Sequence, residues 1–71
     1  MYFIIEIQGL PDGSFAHIVT TAQTRLEAEA EYHRILASAA VSALPLHSAL
    51  IVSGDGTPLM HQCYEHETEE D

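Results

Sequence analysis

Aromatic and β-branched side chains concentrate in residues 2–8 and again in 14–20, with a proline–glycine turn between the two segments. Phe3, Ile5 and Ile7 share one side of the first segment, and Tyr2, Ile4, Glu6 and Gln8 share the other, which is the period of a β-strand. Both sides are apolar in its first half, so the pattern predicts a central strand covered on each face. In the second segment Phe15, His17 and Val19 lie on one side, with Ala16 and Ile18 opposite. Leu10-Pro11-Asp12-Gly13 joins the two segments as a hairpin, because proline presets φ and glycine accepts a left-handed backbone. Residues 48–53 and 59–64 repeat this arrangement around Ser53-Gly54-Asp55-Gly56-Thr57. Pro58 cannot donate to a ladder and therefore places the fourth strand at an edge. An Asp-Gly-Ser/Thr step followed by a histidine recurs in both halves, at Asp12-Gly13-Ser14 with His17 and Asp55-Gly56-Thr57 with His61. Asp-Gly is what a tight hairpin turn demands, and the recurrence needs no other cause.

The Ala-rich segment 24–44 lies between the hairpins. Thr24-Arg25-Leu26-Glu27 is a capping-box pattern, and Glu27, Glu29 and Glu31 sit where carboxylates oppose the positive end of a helix dipole. Pro45 stops the run at or before Leu44, so the expected helix covers residues 25–43. At 100° per residue, Glu27, Glu31, Arg34, Ser38 and Ser42 share one polar wedge, and apolar residues fill most of the rest. That apolar arc is wider than one sheet face needs. Leu36, Ala40 and Ala43 represent the surplus, offered to a protein partner or to a second copy of the chain. The order of elements predicts an α+β fold, ββαββ, with a four-stranded, mainly antiparallel sheet and one helix packed on one face. The domain would span residues 1–64, followed by an acidic, disordered tail at 65–71.

Composition narrows the function. The chain has 71 residues, eleven acids, two arginines and no lysine, for a net charge of −9. Binding to nucleic acid needs cations that displace counterions from phosphates, and two arginines on one helix do not supply them. An anionic membrane surface is disfavoured for the same reason. An acidic mimic that occupies a basic protein's nucleic-acid surface would use the charge directly, but five of the eleven acids lie in residues 65–71. Cys63 is the only cysteine, which suits a reducing compartment, and no signal-like or membrane-spanning run is present; the expectation is a cytoplasmic protein. A core this small is often supplemented by self-association, and the 46% apolar content points to a homo-oligomer.

The candidate chemistry is sparse. His61 and Cys63 fall on one side of the fourth strand and, with His17 or His33, would form a zinc site of nitrogen and sulfur donors, but paired-cysteine spacing is absent. Cys63 as a nucleophile would need a base, an orienting acid and an oxyanion donor, of which only a histidine is on offer. Glu27 and Glu31 share a helix face and are simply solvated. His33 and His47, near the helix and its exit, are expected to be satisfied structural histidines, with pH sensing as the alternative role. Gly54 and Gly56 precede a strand and not a helix, so they are no phosphate loop. No enzyme and no cofactor are expected. The segments Tyr2-Phe3-Ile4-Ile5-Glu6-Ile7-Gln8, Glu29-Ala30-Glu31-Tyr32-His33-Arg34-Ile35-Leu36-Ala37 and Met60-His61-Gln62-Cys63-Tyr64-Glu65-His66 resemble small acidic proteins of unknown function from phages and mobile elements of Gram-positive gut bacteria. The resemblance implies an accessory protein without assigned functional residues. The expected function is therefore a non-enzymatic protein-binding or self-associating accessory domain.

Overall fold

The computed structural model describes residues 1–66. Strands β1 (Tyr2–Gly9) and β2 (Phe15–Ala22) are followed by helix α1 (Arg25–Ala40) and strands β3 (Leu46–Ser53) and β4 (Pro58–Glu65). All neighbours pair antiparallel in the order β2-β1-β3-β4. The two hairpins thus meet through their first strands, and α1 carries the chain from one edge of the sheet back to its middle.

The hairpin turns are built alike. In the first, the Gly13 N–H donates to the Leu10 carbonyl at 2.9 Å and the Leu10 N–H donates to Ser14 at 2.8 Å. In the second, Gly56 donates to Ser53 at 2.9 Å and Ser53 to Thr57 at 2.8 Å. Gly13 and Gly56 have φ of 90° and 94°, the left-handed backbone for which glycine carries no steric cost. The Asp12 carboxylate accepts from the Ser14 N–H and hydroxyl, and Asp55 accepts from the Thr57 N–H and the Ser53 hydroxyl.

At the start of α1, the Thr24 Oγ1 accepts from the Glu27 N–H at 3.1 Å, and the Glu27 carboxylate reaches back to the Gln23 N–H at 3.2 Å. The helix stops three residues before the expected Ala43. Val41 and Ser42 donate to carbonyls three residues back, and the Ser42 hydroxyl accepts from the Leu44 N–H at 3.0 Å. A serine that captures nearby backbone ends a helix at little cost, and Pro45 already forces the preceding residue toward an extended backbone.

The helix lies over β3 and β1. Ile4, Ala28, Tyr32, Ile35, Ala49 and Ile51 form the core, with Tyr2, Ala22, Leu36, Leu59 and Met60 packed against it. Buried alanines on both layers, Ala28 and Ala39 on α1 and Ala49 on β3, let the helix approach the sheet closely. Fully burying Ile4 and Ile51 contributes about 2–3 kcal/mol each. The expectation that β1 is covered on both faces is not met: it is central, but only the side of Tyr2, Ile4 and Glu6 is under the helix. Glu65 and His66, assigned to the tail by sequence, belong to the fold. Glu65 ends β4, the His66 N–H donates to the Pro45 carbonyl at 2.9 Å, and its Nε2 lies 2.8 Å from the Ala39 carbonyl. The remainder of the expected tail, residues 67–71, lies outside the described residues.

Hydrogen bonds to Ser14 hold the Asp12 carboxyl below its usual range, and those to Ser53 and Thr57 do the same for Asp55. A carboxyl lowered by folding stabilises above its unfolded value of about 4 and loses that contribution as pH falls through the lowered value. The Asp12→Ala, Asp55→Ala double variant should therefore melt lower than the parent at pH 7. The gap should begin to narrow below about pH 4, where the unfolded chain's aspartates protonate, and should close as pH falls through the lowered folded values. Thermal denaturation followed by circular dichroism across this range checks both.

Candidate functional site

Register and side-chain alternation place Phe3, Ile5 and Ile7 of β1 on the side of the sheet away from α1. Val52, Leu50 and Ser48 of β3 are their partners, and Thr21, Val19 and His17 of β2 flank them. Phe15 and Leu46 close this surface at one end, around Gly9. A side chain at Gly9 would come within 2.9 Å of the Leu46 Cβ and 3.2 Å of the Phe15 ring, so the aromatic ring leans over a glycine that has to be one. His61 and Cys63 of β4 complete the face, opposite Leu50 and Ser48. Among the described residues no element covers this side. Its central apolar residues are half-buried and Ser48 is buried, while Phe15 and Val19 are 68% and 51% exposed. Glu65, at a corner, is its only residue with a fixed charge among those described.

The residues expected to mark an interaction surface on the helix are split by the fold. Leu36 packs against the core, whereas Ala40 and Ala43 are exposed. The large exposed side chains of this region are Leu26, 78% exposed, at the first turn, and Val41, 85% exposed, just past the last. The intervening outer surface carries Ala30, His33, Arg34 and Ala37. Arg25 pairs with Glu29 at 2.9 Å and Arg34 pairs with Glu31, so both arginines are engaged within the helix. The bond to Arg34 holds the Glu31 carboxyl below its usual range.

His61 and Cys63 stand two residues apart on one face of β4, His61 exposed and Cys63 half-buried. The other proposed ligands are elsewhere. His17 is on β2, three strand spacings away or about 14 Å, and His33 is on the helix, across the sheet. No three His, Cys, Asp or Glu residues converge on a metal-sized site among the described residues.

One polar pair escaped the sequence reading. Glu6 of β1 and His47 of β3 lie beneath the helix, with His47 Nε2 2.6 Å from a Glu6 carboxylate oxygen that also accepts from Gln8 Nε2 at 3.0 Å. His47 is only 4% exposed, and its Nδ1 is buried without a partner among the described residues. The signal was present in part: Glu6 and Gln8 occupy positions that alternation assigns to the same side as Ile4. No cavity opens onto the pair among the described residues, so its role in this conformation is to link β1 to β3 and to satisfy the buried His47 ring and the half-buried Glu6 carboxylate.

Removing His47 strips the half-buried Glu6 carboxylate of one of its two partners and leaves only Gln8, whereas apolar replacement of both members of a pair is far better tolerated. His47→Ala should cost about 1–3 kcal/mol of folding stability. The Glu6→Met, His47→Leu double variant should recover most of it, as read from chemical denaturation. No protein-family model, no curated protein and no solved structure matches this chain.

Proposed function

We propose that this chain is a non-enzymatic accessory domain that acts by binding protein through the uncovered face of its sheet. The observation that carries this reading is the continuous apolar surface of Phe3, Ile5, Ile7, Leu50 and Val52, extended by Phe15 and Val19 toward β2. Surfaces of this kind mark interaction sites when they reach several hundred Å². A sheet four strands wide and eight residues long presents roughly 500 Å² per face at the usual strand spacing and rise. Large aliphatic and aromatic side chains on rigid strands also lose little freedom on binding, which favours this face over the alanine-rich outer side of α1.

The acidic-mimic reading has less support. Of the acids in the described residues, Glu6 is turned into the fold beside His47, Glu29 and Glu31 are matched by arginines, Glu27 caps the helix, Asp12 and Asp55 bind their own turns, and Glu65 ends β4. They do not line one surface as phosphates would.

A charge placed on the sheet face separates this site from the helix. Leu50→Glu should lower capture of the bound protein at least tenfold in a pull-down with the full chain, and Ala40→Glu should leave it unchanged. Circular dichroism verifies that both variants remain folded. The reverse pattern would assign binding to the outer helix and overturn the sheet-face reading.

A further inference from the structure

We propose that the open edge of β2 pairs antiparallel with β2 of a second copy of this chain, joining two four-stranded sheets into one of eight strands. The inference stands on the edge and not on the sheet face, so it holds or fails independently of the protein-binding reading.

The two edges of the sheet differ in kind. At β4 the chain carries Pro58, a register shift where Ile51 faces Met60 and Val52 faces Pro58, and the charge of Glu65. The Ser53–Thr57 bonded pair closes the second hairpin. Alternation therefore turns the nitrogen of Pro58 outward, where its missing N–H leaves the edge without a donor. These are the devices that keep an edge from pairing with other chains. Strand β2 has none of them. Its sequence, Phe-Ala-His-Ile-Val-Thr-Thr-Ala, has no proline, acid, arginine or lysine, and it pairs with β1 over eight residues without a shift.

The Leu10–Ser14 bond sets the alternation on this side. Residues 14, 16, 18, 20 and 22 turn their backbone groups toward β1, and Phe15, His17, Val19 and Thr21 turn theirs outward. The same strand exposes apolar side chains on both faces, with Ile18 52% exposed on the helix side and Phe15 and Val19 on the other. A ligand that covers only one face of the sheet would leave Ile18 in water. A second strand alongside covers both.

Charge selects the second copy as that strand. The chain has a net charge of −9, so two copies meet most easily where neither presents a carboxylate, and β2 is the one edge strand without charge. Antiparallel pairing of a strand with itself is isologous and closes after two copies. About a twofold axis through Ile18, His17 meets Val19, Phe15 meets Thr21, and the two Ile18 side chains meet on the helix side. All four outward-facing residues then find donors and acceptors, for about eight hydrogen bonds in the ladder.

Light scattering of the full chain over a dilution series, with backbone amide exchange read by NMR, tests the inference. The expected species has twice the 7.8 kDa chain mass, and the outward amides of Phe15, His17, Val19 and Thr21 exchange slowly in it. His17→Pro removes an outward donor and none of the bonds to β1. It should weaken association at least tenfold with an unchanged far-ultraviolet spectrum, while Leu50→Glu leaves the dimer intact. Should His17→Pro fail to fold, the wild-type exchange pattern decides: protection of these amides supports the pairing, and fast exchange in a dimer overturns it. A wild-type monomer at every concentration, or a dimer unaffected by His17→Pro, also overturns it. Dissociation by Leu50→Glu alone would put the second copy on the sheet face and likewise overturn the edge.

Discussion

A single helix cannot cover a four-stranded sheet. With side chains a helix is about 10 Å wide, whereas the outer strands of this sheet are about 14 Å apart. Helix α1 therefore sits over the two central strands, and the buried residues follow that footprint: Ile4 of β1, and Ala49 and Ile51 of β3. Ile18 lies on the same side but beyond the helix's reach. Among the described residues no second layer lies against the opposite face, because their one helix packs on the other side. The core, the exposed residues of β2 and the apolar sheet surface all follow from this one mismatch of widths.

The same constraint explains which parts of the fold the sequence made legible. Turn chemistry is local, so Pro11, Gly13, Gly54 and Gly56 marked both hairpins, and Thr24 with Glu27 marked the start of the helix. The end of the helix was harder, because alanine and serine past Ala40 continue a helical composition while the Ser42 hydroxyl and Pro45 redirect the backbone. Strand order was not readable, since it depends on β1 choosing β3. The bond that accompanies that choice, from Glu6 to His47, joins residues 41 apart. Alternation did assign Phe3, Ile5 and Ile7 to a common side. It could not distinguish apolar residues that the helix covers from apolar residues that no described element covers, since both obey the same pattern.

The candidate sites were legible to different degrees. His61 and Cys63 do share a face of β4, as their spacing required. The histidines meant to join them lie across the sheet on β2 or on α1, which spacing alone has no means of showing. Leu36 and Ala40 fall near one another on the helical wheel, yet the rotation of the helix on the sheet turns Leu36 inward and leaves Ala40 exposed, while Ala43 lies beyond the helix end.

The matched hairpins have a consequence for how the chain reaches its fold. Each closes around its own five-residue turn, so both are low in contact order and form early on elementary timescales of about 1–10 μs. The β1–β3 ladder bridges the longest separations and requires closure of a loop that contains the helix. Helix formation shortens that loop: the sixteen residues of α1 span about 24 Å as a helix, close to the length of the strands they must pass. In the folded chain the helix is thus both the strut that sets the spacing of the two hairpins and the lid over their seam.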